Sequence, residues 1–329
     1  MNTSGSKKMH LDWIDGLKAF AILGILLNHF VESYGSVPWF SNPSYNWPDF
    51  STRMSQIIPE GDNIFFILVK FLGWLGDMGP GVFILISGFT LAMSQSKKHY
   101  KNSTFYKKRL LRIYPLYITI HLFILTFLLV FNQIDEVSNF GLLFSLLGLR
   151  FNESLFFYLN PSWWFIWMIL QLYILFPILY KFLAKNKNAF LAVTLAFTIL
   201  SRMAGLMGYT YSDNLYFWMT GMFFGTRLFE FTIGMYLGYL FYQQNEALLN
   251  LLRNKQKVFV YSVVIYITGF GLSLTYAGSL LSNILITIGL SGIFYGIYEH
   301  LRSRSTKLLL GKVGVLAFPV FLIHQPFMT

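Results

Sequence analysis

The feature that most limits how this chain can fold is a recurring one: apolar runs of about twenty residues, the length a helix needs to cross a bilayer, separated by short charged loops. Inside lipid every backbone N–H and C=O must find a partner within the protein, which leaves helices and closed barrels as spanning structures. Barrel strands would show as segments of about ten residues with alternating polarity, and the sequence has none. The runs predict spans at Ile14–Tyr34, Ile64–Met93, Ile113–Phe131, Trp163–Leu183, Phe190–Met207, Leu228–Tyr242, Val258–Tyr276, Leu280–Tyr298 and Val313–Met328. The second is overlong and broken at Gly79-Pro80-Gly81, as an interfacial helix over Ile64–Trp74 followed by the true span would be. Phe140–Phe151 is apolar but short, which suits a re-entrant or interfacial segment. The expected fold class is therefore all-α, a polytopic transmembrane bundle of about 9–10 spans, forming one domain over residues 1–329.

Composition agrees. Only 12% of the residues are charged, about half the share found in soluble domains. Cysteine is absent, so no disulfide, thiolate metal site or cysteine nucleophile can form, and no metal is expected. The first run is too long for a signal peptide's apolar core and reads as a retained span. The chain stops at Thr329 in a run near the short limit for a span, so a C-terminal continuation is expected. The net charge of +11 could point to nucleic acid, but its placement does not. Alternating the spans gathers Lys7, Lys8, Lys97, Lys98, the cations of residues 101–112, Lys181, Lys185, Lys187, Arg253, Lys255, Lys257 and those of residues 302–312 on one side. The opposite loops hold Asp49, Glu60, Asp62, Asp135, Glu136, Glu153 and Asp213. The positive-inside rule then puts the N-terminus in the cytoplasm and the aromatic, Pro-rich loop Gly35–Asn63 outside, as a lid, a carbohydrate-facing surface or an ordinary interfacial loop.

Ionisable side chains within spans mark functional sites by default. The first span carries four. At roughly 100° per residue, Asp15, Lys18, His29 and Glu32 share a sector about 100° wide, and Lys18 and His29 are on the order of 16 Å apart along the axis. A carboxylate one turn from an imidazole can fix its tautomer and raise its basicity; alternatively, His29 only hydrogen-bonds a neighbouring helix. A second constellation is Phe105-Tyr-Lys-Lys108-Arg109-Leu-Leu-Arg112-Ile-Tyr-Pro115-Leu-Tyr117. On a helix Arg109 and Arg112 share a face. Arginine forks suit a polyphosphate anion, although such a cluster also serves as a topology signal or an anionic-lipid contact. Asp77 and Glu230 are the other embedded acids; Arg227, three residues before Glu230, reads as its structural partner. Ser87-Gly88-Phe89, Trp163-Trp164, Gln171 and Tyr173 are candidates for a cavity lining or for plain packing, and His121 reads as structural.

Taken in order, these signatures resemble the acyltransferase 3 family of integral-membrane acyltransferases. Asp15-Gly16-Leu17-Lys18 followed by His29 is similar to that family's opening motif, and Val82-Phe-Ile-Leu-Ile-Ser87-Gly88-Phe89 to the end of its second span. Arg109-x-x-Arg112-Ile-Tyr-Pro115 matches its arginine signature in full. Trp164-Phe165, Tyr173 and Pro177 look like its Trp-Phe span, and Phe321-Leu-Ile-His324-Gln-Pro326 like its closing histidine motif. Two departures stand out: Lys18 replaces an arginine, and Gln171 stands where some members with appended extracellular domains carry glutamate.

The resemblance implies acyl transfer, acetyl first among the groups expected, from cytoplasmic acyl-CoA to a hydroxyl of a surface glycan or lipid-linked sugar, in the bacterial cytoplasmic (inner) membrane. It implies His29 as general base, oriented by Glu32. Lys18, Lys108, Arg109 and Arg112 are implied for the CoA phosphates, with Asp15, Ser87, Glu230 and His324 as further candidates. The rival classes are a secondary transporter or flippase for an anionic lipid or metabolite, since broken helices with embedded charges also mark transporters, and a non-catalytic scaffold in envelope assembly. No paired broken helices in corresponding halves support the transporter.

Overall fold

The computed structural model describes residues 11–34, 63–131, 139–208 and 218–325. Every regular element among them is helical. The chain opens with α1 (Asp12–Tyr34), α2 (Ile64–Gly76) and α3 (Gly79–Lys98). It continues through α4 (Asn102–Val130) and the short α5 (Asn139–Leu146) and α6 (Glu153–Phe157) to α7 (Trp164–Lys185), which a 3-10 turn at Pro161–Trp163 introduces. After α8 (Lys187–Gly208), a broken stretch of π and 3-10 turns leads into α9 (Leu228–Tyr242). The last elements are α10 (Glu246–Arg253), α11 (Lys255–Ser273), α12 (Ser279–His300), α13 (Arg304–Val315) and α14 (Ala317–Ile323).

Among the described residues, six helices are long and apolar enough to cross a membrane: α1, α4, α7 with its lead-in turn, α8, α11 and α12. The pair α13–α14, bent by 52°, makes a seventh if counted as one span. The overlong second run divides as its Gly-Pro-Gly break foretold: α2 ends at Gly76, and Pro80 sits in the first turn of α3, where its missing N–H costs nothing. The sixth run is the 15-residue α9. The final run differs from the expectation of a span starting at Val313. Its helix begins at Arg304 and breaks after Val315, before Pro319, a residue that tolerates only the first turn of a helix. The expected outer loop Gly35–Asn63 lies, apart from Asn63, outside the described residues.

The outward faces are apolar. Leu111, Phe123 and Val130 on α4, Ile174 and Ile178 on α7, Leu200 on α8 and Val264 and Ile267 on α11 are all exposed, as a lipid-facing surface requires. The interior is organised around α1 and the pair α3–α9. α1 packs against α2, α3, α12, α13 and α14. α3 and α9 touch along much of their length because glycines let their backbones meet: a Cβ on Gly234 would lie 2.1 Å from the Leu85 carbonyl oxygen, and one on Gly238 2.2 Å from that of Phe89. Between helices in lipid, close backbone approach through such a Gly-x-x-x-Gly pair replaces the hydrophobic drive that water would supply.

Candidate active site

The far half of α1 and the end of α14 bring two imidazoles together. The rings of His29 and His324 lie 5.1 Å apart, centre to centre, at 47°. His324 is buried. Its Nδ1 lies 2.8 Å from the Phe321 carbonyl oxygen; a carbonyl can only accept, so the proton sits on Nδ1 and a neutral ring has its lone pair on Nε2. That Nε2 is buried without a hydrogen-bond partner among the described residues. Glu32 lies in the last turns of α1, and its side chain is outside the described residues.

The position of His324 is set from far away in sequence. Helix α14 ends at Ile323, so the carbonyl of Leu322 is one of the orphan acceptors of a helix C-terminus, and Pro326 has no N–H to offer it. Two side chains serve it: Asn160 Nδ2 at 3.1 Å and Trp163 Nε1 at 3.0 Å. One residue past His324, Gln325 Oε1 accepts the Ser162 backbone N–H at 2.7 Å and the Ser162 hydroxyl. Asn160, Ser162 and Trp163 are all buried. The turn that carries them starts at Leu159, whose φ of 61° is a left-handed conformation that leucine adopts only at a cost of order 1–3 kcal/mol.

Behind the turn lies a buried polar cluster that sequence reasoning passed over. Arg150, fully buried, donates to the carbonyls of Leu155, Phe156 and Tyr158 and to Ser145 Oγ, and lies 5.6 Å from the Trp163 ring. His121 shares Ser145 Oγ at 2.9 Å and stacks on Trp163 at 5.0 Å. The structural reading of His121 thus has a physical content: it backs the indole that holds Leu322. The signal that could have flagged Arg150 is a lone arginine closing an apolar segment.

The arginine signature lies on the continuous helix α4, so Arg109 and Arg112 do share a face. They differ in burial. Arg112 and Lys108 are exposed, whereas Arg109 is half-buried, lies over the Phe105 ring at 5.7 Å and sits beside the Tyr173 phenol. Tyr173 in turn pairs with Ser87 at 3.2 Å. Three sequence candidates from three helices therefore converge. Lys108 Nζ lies 3.8 Å from the Tyr100 ring centre.

Lys18 is paired with Asp15, Nζ to Oδ1 at 2.8 Å. Asp15 helps line a groove of about 700 Å³ together with Asp12, Tyr298, Arg304, Lys307 and Lys312. Glu230 is brought to neither group. It is fully buried, 2.7 Å from Arg202 and 3.5 Å from Arg227. Arg202, in the middle of an apolar run, was legible as an intramembrane cation and was missed. Its Nε and Nη1 also hold the carbonyls of Thr226 and Leu280, so the triad ties α8 to the start of α9 and to α12. Gln171 likewise works on backbone, donating to Met222 O at 2.8 Å and accepting from Phe224 N at 3.2 Å. It clasps the broken stretch in which Gly221 has a φ of 140°.

An all-helical bundle with an apolar outer face, an imidazole pair of which one ring is buried, and an arginine pair at the basic end of a span defines a helical membrane protein. A family model for the acyltransferase domain of the acyltransferase 3 family matches residues 11–329, nearly the whole chain, and the chain belongs to this family of membrane acyltransferases. No curated protein and no solved structure matches it.

Proposed function

We propose that the protein is a membrane O-acyltransferase that moves an acyl group, acetyl first among the candidates, from cytoplasmic acyl-CoA to a hydroxyl of a surface glycan or lipid-linked sugar. The observation that carries this reading is the His29–His324 pair, with a lone pair on His324 left open. A hydroxyl becomes an effective nucleophile when a positioned base takes its proton in the transition state. In the proposed step His29 takes that proton, the hydroxyl oxygen attacks the thioester carbonyl, and the tetrahedral centre collapses to the ester. The CoA thiolate leaves and recovers the proton from the imidazolium. His324 Nε2 accepts a hydrogen bond from a neighbouring hydroxyl, which a sugar supplies. With no cysteine in the chain, no thioester forms on the enzyme.

Arg109 and Arg112, with Lys108, are assigned to the CoA phosphates on the basic, cytoplasmic side, because guanidinium groups donate paired charge-assisted hydrogen bonds to phosphate oxygens. Lys18, engaged by the groove-lining Asp15, is assigned to the donor path. The location proposed is the bacterial cytoplasmic membrane, with the N-terminus inside, an orientation that the placement of the basic loops supports. The test is incubation of purified protein in nanodiscs with radiolabelled acetyl-CoA and candidate glycan acceptors. Label in an alkali-labile ester on the glycan supports the reading; neither transfer nor acyl-CoA hydrolysis with any acceptor refutes it.

A further inference from the structure

The groove of about 700 Å³ between the start of α1 and helix α13 is of a size that holds small ligands. Its two walls carry opposite charge. Asp12 and Asp15 line it from α1, and Arg304, Lys307 and Lys312 line it from α13. Asp15 is answered by Lys18 at 2.8 Å, and Lys18 itself is not part of the lining. Along α13, Arg304, Lys307, Leu308, Gly311 and Val315 recur at spacings of three and four, so they share one helix face. Leu308, Val315 and Leu316 line the groove and remain exposed. Cations and exposed apolar side chains thus stand together, as on a helix that lies at a membrane interface. The floor at Gly311 is open: a Cβ there would meet no atom within 4 Å.

We propose that this groove holds one phospholipid with a primary ammonium in its headgroup, drawn from the leaflet on the basic side. The ammonium donates to the Asp12 carboxylate, the phosphodiester accepts from Arg304 and Lys307, and the chains lie on Leu308, Val315 and Leu316. Charge selects the headgroup. A ligand of one sign would meet like charge on one wall, whereas a zwitterion meets opposite charge on both. A polyphosphate would bring several negative charges beside two carboxylates. The lining also selects the kind of cation. Quaternary ammonium groups are recognised by cages of aromatic rings. Here Tyr298 is the one aromatic ring among the described lining residues, and Lys307 Nζ already stands 4.9 Å from its centre. A carboxylate instead suits an ammonium that has N–H groups to donate. The exposed leucines and valine give the chains an apolar bed that a water-soluble zwitterion would not use.

The test titrates delipidated protein with phosphatidylethanolamine, phosphatidylcholine and phosphatidylglycerol of identical chains, and resolves the first lipid bound by native mass spectrometry. The wild type is expected to bind phosphatidylethanolamine about tenfold more tightly than either of the others. Asp12→Asn should narrow its lead over phosphatidylcholine to less than about twofold. Lys307→Gln should weaken both of these lipids alike, since both carry the phosphodiester. Gly311→Leu places a side chain in the open floor and replaces glycine by a better helix former, so the variant is expected to fold as the wild type does and to lose the tight first lipid. Equal affinity for the three lipids in the wild type overturns the proposal, as contact with surrounding lipid alone would give that result. Tightest binding of phosphatidylglycerol overturns it in favour of an anionic headgroup. Unchanged phosphatidylethanolamine binding in Gly311→Leu places the lipid elsewhere and overturns it too. Displacement of the bound lipid by CoA gives the groove to the acyl donor and also overturns it.

Discussion

The imidazoles of His29 and His324 stand 5.1 Å apart, one on α1 and one just past the end of α14. If this pair activates the acceptor, the two replacements have different signatures. His29→Ala removes the base and lowers turnover by about 10²–10⁴-fold, with folding and acyl-CoA binding retained. His324→Ala raises the acceptor KM and lowers kcat less. Initial rates of ester formation for the three proteins check this; near wild-type turnover in His29→Ala sinks the mechanism.

The clamp on Leu322 makes Trp163 and Asn160 positioning residues. Trp163→Phe keeps an aromatic ring against His121 and Arg150 but deletes the N–H that serves the Leu322 carbonyl. Asn160→Ala deletes the other donor. Each is expected to lower kcat severalfold with the acyl-CoA KM unchanged, and to cost about 1 kcal/mol of stability. The double variant strands a buried carbonyl and should lose more than the sum of the two. A KM change without a kcat change would show that the turn acts on donor binding instead.

Arg109 and Arg112 should separate by burial. Arg112, exposed at the basic end of α4, is expected to act on phosphate alone, so Arg112→Ala weakens CoA binding by about tenfold without lowering the melting temperature. Arg109, packed on Phe105 and beside Tyr173, is expected to cost affinity and stability together when replaced by Ala. Charge-assisted hydrogen bonds contribute roughly 1.5–3 kcal/mol, enough for either loss. Unchanged CoA binding in the double variant would return both residues to a topology role.

Glu230 is expected to be structural. Glu230→Gln leaves Arg202 and Arg227 without their buried counter-charge and should destabilise by about 3–5 kcal/mol, read as a loss of thermal stability in detergent. Replacing Arg202 by Met in the same chain should recover part of it. A Glu230→Gln protein that melts like the wild type but is inactive would make this carboxylate catalytic.

The proposed topology rests on the placement of charge. In this cysteine-free chain, Ser303→Cys lies on the basic side and Thr275→Cys in the turn between α11 and α12. An impermeant thiol reagent added to intact cells should label position 275 and spare 303. Labelling of both would overturn the assignment.

Several features of this protein were determined by sequence alone, because they depend on local chemistry. Runs of apolar residues must be helical in lipid, so the all-helical class followed from them. Gly79-Pro80-Gly81 broke the second run where glycine freedom and the missing proline N–H demand it, and the spacing of Arg109 and Arg112 fixed their common face. The motifs from Asp15 to His324, in order, carried the family. Tertiary structure alone decided which distant groups meet. Nothing in the local sequence announces that Asn160 and Trp163 serve the carbonyl of Leu322, or that Arg202 joins Glu230. Each of these pairings satisfies, or leaves open, a buried polar group, and in a bundle of similar apolar helices the partner is chosen by helix packing. The helix that starts at Arg304 was not legible for the same reason: it carries too much charge to look like part of a span, and its place against α1 is decided by packing.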